Sequence, residues 1–243
     1  MTTAVTRRFA GLTIAALIAA GLAVGPSVPM GPAGDAETRH CVATGHGAGG
    51  ESGGLSASEL CEAMDGRLSL ARYAQLVGPV TDALQRSEAT TPDRMAMWLG
   101  QIGQESGGLR YMEEQADGSQ YEGRTDLGNT EPGDGQRFKG RGPIQITGRN
   151  NYTQFSLWAH HQGLSPTATW FVDRPEELAS DRCGFYAAAW YWTVARPQIN
   201  SLSDAGDLVG VTKAINGGLH GIEDRRKFWT KNKALSLSTD GVD

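Results

Sequence analysis

A helix buried along one side, from Pro92 to Glu105, is the feature this chain cannot avoid. Thr91 can cap it, and Pro92 takes the first position, where a missing N–H leaves nothing unpaired. Met95, Trp98, Leu99 and Ile102 recur at i, i+3, i+4 and i+7, the stripe of a covered helical face. Glu105 falls three residues after Ile102, so a carboxylate continues the apolar stripe. Gly107–Gly108 then stop the helix and leave Glu105 in its last turn, where the backbone dipole is negative. Burial and dipole both disfavour the anion, and a carboxyl group kept protonated can hand a proton to a leaving group. A solvated glutamate at a helix end would read the same from this stretch alone.

Other helices surround it. Ser56-x-x-Glu59 spells a capping box for a short helix ending at Gly66. Tyr73, Leu76, Val77, Val80 and Leu84 form a second stripe, which Pro79 is expected to interrupt. Between Ser106 and Gly142 the chain is rich in Gly, Asp and Asn with little periodicity, a long loop-rich insert of the kind that usually serves function. Arg149–Ala159 reads as a helix, Pro175 opens a longer one through Leu178, Phe185, Ala189 and Trp192, and Asp204 can cap Leu208, Val211 and Ile215. Asn216–Gly217–Gly218 ends that helix, and Ile222–Lys233 is the last. No sustained alternation of apolar and polar residues occurs, so the fold is expected to be mainly α.

At 243 residues the chain is long enough for one good-sized domain with extensions. Met1–Gly25 has the form of an export signal: Arg7 and Arg8 lead an apolar run, Phe9–Val24, that is short of the roughly 20 residues of a comfortable membrane span. We therefore expect a signal peptide over 1–33, a Gly-rich linker over 34–55, the main domain over 56–235 and a tail over 236–243. The expected product is a secreted monomer, without stable membrane association once the leader is gone. Gly45-x-Gly47-x-x-Gly50 spells a dinucleotide fingerprint, but no strand precedes it. The formal charge of −5, more negative still without Arg7 and Arg8, speaks against a nucleic-acid partner. Cys41 and Cys61 enclose a Gly-rich loop and are candidates to pair, worth about 3 kcal/mol for a loop of that size, leaving Cys183 the odd thiol. The five histidines show no metal-ligand spacing, so neither a metal nor a cofactor is expected.

Three separated blocks carry a resemblance: Gln104–Glu105–Ser106–Gly107–Gly108, then Phe138 through Gly148 (Phe-Lys-Gly-Arg-Gly-Pro-Ile-Gln-Ile-Thr-Gly), then Ile215–Asn216–Gly217–Gly218 with Asp224–Arg225. In order and composition they resemble glycoside hydrolase family 19, which holds chitinases and phage-type endolysins. The resemblance runs from about Leu68 to Phe228. It implies a two-lobed, lysozyme-like helical fold whose loop-rich insert lines a cleft. Tyr121–Glu122–Gly123–Arg124-x-Asp126–Leu127–Gly128–Asn129 is more similar to the endolysin and bacterial branch than to plant chitinases.

What the resemblance implies is an inverting attack on a β-1,4 bond beside an N-acetylated sugar. Such chemistry takes one carboxyl group to protonate the leaving oxygen and a second to activate water, roughly 6.5–9.5 Å apart. Glu105 matches the acid, and Glu114, nine residues on, matches the base of members with short loops. Glu114 lies past the Gly–Gly break in a polar loop, where a low carboxylate pKa suits a base. Glu122, Glu113 and Asp126 are its rivals. Glu113 reads otherwise as a solvated neighbour, and Glu122 as a loop-shaping partner for Arg124 or Arg141. Gln145, Thr147 and Asn151 correspond to polar residues that line the cleft or hold the water, although a buried amide satisfying backbone groups also accounts for Gln145. Asn216 corresponds to a substrate-binding residue and equally suits a helix C-terminus. Arg225 corresponds to an arginine that steadies the catalytic carboxylates. Tyr152, Trp190 and Trp192 have rings suited to sugar stacking, though aromatics at helical spacing are more often core.

The leading expectation is thus a secreted endo-acting glycosidase with a polysaccharide partner, chitin or peptidoglycan. A lytic transglycosylase, which works with one catalytic acid, and a wall-binding protein with a decayed site are the alternatives. The Tyr121–Asn129 block favours a wall polymer, whereas an acidic chain suits an anionic wall less well.

Overall fold

The computed structural model describes residues 55–235 and residue 237. The export signal, most of the Gly-rich linker and nearly all of the tail lie outside the described residues. Within them the order is α1 (Ala57–Ala63), α2 (Leu70–Arg86), α3 (Pro92–Glu105), α4 (Asp134–Arg137), α5 (Arg149–His161), α6 (Trp170–Asp173), α7 (Asp181–Trp190), α8 (Ile199–Asp204), α9 (Leu208–Asn216) and α10 (Ile222–Ala234). Two short 3-10 turns, Ser119–Tyr121 and Thr125–Leu127, punctuate the insert. Sheet structure among these residues amounts to isolated bridges linking Glu113, Arg141 and Ile146. The fold is mainly α, as the periodicity implied.

Local chemistry sets several boundaries. Ser56 and Glu59 close a reciprocal capping box on α1, and Thr91 caps α3 with Pro92 just inside. Four expectations need correction. α2 runs straight through Pro79, because Gln75, whose carbonyl loses its partner there, is exposed to water. Pro175 opens only a 3-10 turn, Pro175–Ala179; Ser180 leaves helical geometry and its side chain caps a new helix, α7, at Cys183. The cap of α9 is Asp207, which accepts from Gly210 N, while Asp204 ends α8 and pairs with Arg94 at 2.6 Å. Lastly, Cys61 is a free, partly buried thiol and Cys183 is disulfide-bonded to a partner outside the described residues, so the expected 41–61 pairing does not form.

Packing centres on α3, which is buried almost all round. α10 lies along it, α8 crosses it, and α2 bridges α1 and α7. Two glycines set the α3–α10 spacing. A Cβ on Gly100 would come within 3.0 Å of the Trp229 backbone, and one on Gly103 within 2.8 Å of the Phe228 ring. Side chains at those positions would push the helices apart. Trp98, Tyr152, Phe155, Phe171, Phe185, Trp190 and Trp192 fill one continuous core. Tyr152, Trp190 and Trp192 are therefore core residues, and the Tyr152 ring is wholly shielded from any sugar. Its hydroxyl bonds the Lys139 carbonyl at 2.8 Å and receives a bond from Arg141.

The insert is ordered by its own polar contacts. Asn129 Oδ1 accepts from the Arg149 backbone N at 2.9 Å, giving α5 a cap from a residue twenty positions upstream. Asp134 pairs with Arg149, and Glu122 accepts from the backbone N–H groups of Gly133 and Gly135 at 2.7 and 2.8 Å. These contacts hold the insert against the start of α5 and so shape one wall of a cleft.

Candidate active site

The end of α3, the end of α9, the residues after α7 and the insert converge on a cleft. Glu105, Tyr121, Gln145, Thr147, Asn151 and Asn216 supply its polar lining, and Leu127, Ile144, Ile146, Tyr191 and Ile215 its apolar lining. Residues from distant parts of the chain thus meet at one place.

Glu105 is buried, with 4% of its side chain exposed, and Arg225 on α10 donates from Nη2 to its Oε1. Oε2 takes no hydrogen bond among the described residues. Arg225 is itself fixed at its other nitrogens: Nη1 donates to Gln101 Oε1 at 2.5 Å and Nε to the His220 carbonyl at 3.2 Å. Gln101 continues the chain with a 3.3 Å bond to Thr212 Oγ1 on α9. Gln101 lies one turn before Glu105 on the same face, a spacing the sequence displays, but its partners come from more than a hundred residues away. Ser106 beside the acid is occupied by the helix end, donating to the Ile102 carbonyl and accepting from Leu109 N.

Glu114 does not itself line the cleft; it stands behind the residues that do. Gln120 and Tyr121 donate to its Oε1 at 2.9 and 3.0 Å, and the Gly140 backbone N donates to Oε2 at 3.1 Å. Three donors thus converge on this one carboxylate. Burial, and after it the Glu114 charge, push the Tyr121 hydroxyl up to about 12. Around Gly140 three oxygens converge: a Cβ there would lie 2.8 Å from Gln145 Oε1, 3.3 Å from Glu114 Oε2 and 3.4 Å from Thr147 Oγ1.

A tight turn builds this cluster. Arg141 and Ile146 exchange backbone hydrogen bonds around residues 142–145, and Gln145 takes φ +56°, an uncommon conformation for a residue with a side chain. Its amide Nε2 is held by the Gly142 carbonyl at 2.9 Å, which leaves Oε1 turned toward Glu114 and Thr147. Gln145 therefore satisfies backbone groups and lines the cleft at once. Asn151 reaches back to the Thr147 carbonyl at 2.8 Å, and Asn216 bonds His220 O and Gly218 N, clasping the turn after α9. Gly217, not Asn216, takes the left-handed position there.

The rivals of Glu114 are otherwise engaged. Glu113 is paired with Arg141 at 2.9 Å and Lys139 at 3.4 Å, and so is more than a solvated neighbour. Glu122 holds backbone N–H groups and neither Arg124 nor Arg141, both of which have other carboxylates within reach. Asp126 is gripped by both arms of Arg124, whose hydrogen bonds hold its carboxyl below the usual range. No cluster of potential metal ligands occurs among the described residues.

A glycosyl hydrolase family 19 domain-containing protein from Haemophilus influenzae is 26% identical over 182 residues, spanning 62% of this chain and 84% of that protein. Among solved structures, chitinase C from Streptomyces griseus superposes with a TM-score of 0.58 at 18% identity, covering 77% of this chain and 95% of its own. The chain has the glycoside hydrolase family 19 fold. A family 19 class IV chitinase from Zea mays gives a TM-score of 0.54 at 18% identity over 74% of this chain and 91% of its own. No protein-family model matches the chain. The family 19 fold agrees with the resemblance carried by the three sequence blocks. No described helix is long and apolar enough to cross a membrane.

Proposed function

We propose that this protein is an exported glycoside hydrolase that cuts β-1,4 bonds in a polymer of N-acetylated sugars by inversion. The observation that carries the reading is that buried Glu105 lines one cleft with Gln145 and Thr147, and that the side-chain oxygens of those two residues gather with Glu114 Oε2 around Gly140. In this reading Glu105 Oε2 protonates the leaving glycosidic oxygen, while Arg225 holds Oε1 and fixes the carboxyl plane. Glu114 takes a proton from water as that water attacks the anomeric carbon from the opposite face. Thr147 Oγ1 and Gln145 Oε1, next to Glu114 Oε2, orient the water. Asn151 and Asn216 offer amide groups to the sugar substituents.

The family 19 fold and the names of the proteins that share it support hydrolysis of a chitin-like polymer. The second carboxylate, with three donors on it, favours hydrolysis over a lytic transglycosylase, which needs one acid. Export rests on the Arg7–Arg8 and Phe9–Val24 pattern.

The test compares wild type, Glu105→Gln and Glu114→Gln on a soluble N-acetylglucosamine oligomer and on cell walls. General acid–base groups contribute roughly 100- to 10,000-fold, so each substitution is expected to lower kcat by at least about a hundredfold on whichever substrate is cut. Mass analysis of products formed in heavy-oxygen water reads the attacking oxygen and distinguishes a hydrolysed end from an anhydro sugar. Full activity in both variants would overturn the assignment. A wild type that cuts neither substrate yet sediments with wall material would make this a binding protein.

A further inference from the structure

A second cavity adjoins the cleft at Leu127 and Asn151. It lies between the insert and the segment after α7, where Asp126, Asn150, Gln154, Val194 and Arg196 line it. The helix widens into a π turn over Tyr191–Ala195, a distortion common at functional sites. That turn places Tyr191 in the first cavity and residues 194–196 in the second.

Arg196 is the unusual member. Its Nε donates to the Ala214 carbonyl at 2.9 Å and its Nη1 to the Ala195 carbonyl at 2.8 Å, and its guanidinium lies 4.9 Å from the centre of the Tyr191 ring. These partners are neutral: they fix the side chain and leave its charge in place. No carboxylate pairs with it among the described residues, and Nη2 carries no hydrogen bond there. The only acid lining the same cavity, Asp126, is held by Arg124 through two bonds of 2.7 and 2.6 Å. In a chain of net charge −5, the cavity therefore presents a positioned, uncompensated cation. A polymer bearing only neutral N-acetylated sugars offers such a group hydroxyl and carbonyl oxygens alone, whereas a carboxylate adds charge to the hydrogen bond and matches the planar guanidinium.

We propose that Arg196 is a specificity-determining residue that reads a carboxylate on the glycan, so that the preferred substrate carries acidic substituents, as peptidoglycan strands do. This rests on the glycoside hydrolase reading of the neighbouring cleft. Val194, 49% exposed, offers an apolar surface to the same sugar, and Asn150 and Gln154 supply amides for its N-acetyl group.

The experiment measures kcat/KM on two substrates for wild type, Arg196→Gln and Arg196→Lys. One is an uncharged N-acetylglucosamine oligomer; the other is a soluble glycan whose alternate sugars carry a lactyl carboxylate. The preference for the carboxylated glycan is expected to fall about tenfold in Arg196→Gln and to be largely restored by Arg196→Lys, a charge effect that added salt weakens. An unchanged preference, or the same loss on both substrates in both variants, overturns the proposal. A parallel titration measures binding of the carboxylated glycan to Glu105→Gln with Arg196 intact or changed to Gln. If the wild type cuts neither substrate, the hydrolase reading fails, while tighter binding by the Arg196-intact protein upholds the role of Arg196 and equal binding removes it.

Discussion

Arg225 reaches from α10 to the Glu105 carboxylate at the end of α3, and the two side chains are 1% and 4% exposed. The pair belongs to a wider network, because the same guanidinium binds Gln101, and Gln101 binds Thr212. Breaking a buried pair by removing one partner leaves the other charge without compensation, at a cost of roughly 3–5 kcal/mol. Arg225→Met is expected to lower stability to urea by about that much and to abolish activity. Arg225→Lys retains the charge but cannot serve Glu105, Gln101 and His220 O in one plane, so it is expected to keep most of the stability and lose most of kcat. Equilibrium unfolding beside oligomer hydrolysis checks both.

Gly140 has an ordinary negative-φ backbone, so alanine there brings crowding without backbone strain. Its methyl group would stand 2.8 Å from Gln145 Oε1 and would also press on Glu114 and Thr147. Gly140→Ala is expected to lower kcat at least tenfold, since sub-ångström displacement of a water-orienting group is costly to rate, with a smaller change in KM. Kinetics on a soluble oligomer separate the two. A rise in KM alone would place the cluster in substrate binding rather than water activation.

Tyr121 connects stability to pH. Its hydroxyl is pushed up to about 12 by burial and by the Glu114 charge it faces, against an ordinary value of 10.0. The folded state thus favours the protonated phenol: its contribution is fully present below pH 10 and is lost as pH rises through about 12. That difference corresponds to on the order of 3 kcal/mol at most. Alkaline unfolding of Tyr121→Phe is expected to lose that part of the pH dependence. In Glu114→Gln, the remaining tyrosine should ionise at lower pH, read by its absorbance.

Much of this architecture is written locally. The caps of α1 and α3, the buried stripe of α3 and the span of α10 follow from residues within a few positions of one another. Sequence and structure part where the deciding partner is remote or where two local signals compete. Asp204 and Asp207 are both possible caps; Arg94, 110 residues away, takes the first and leaves the second to α9. Pro79 is tolerated because the face it interrupts is exposed. The cysteine pairing followed loop length, whereas the structure leaves Cys61 free and engages Cys183. At the site, Glu105, Gln145, Thr147, Asn151 and Asn216 stand in motifs and meet in the cleft. Gln101, Thr212 and Arg196 carry no such signal, because a lone polar residue on a helix, or an arginine after one, reveals nothing until its surroundings are known.

Gly100 and Gly103 give the last word to geometry. By letting α10 lie directly against α3, they bring the Arg225 guanidinium up to the Glu105 carboxylate. A side chain added at either position would therefore part Arg225 from Glu105 as well as the two helices.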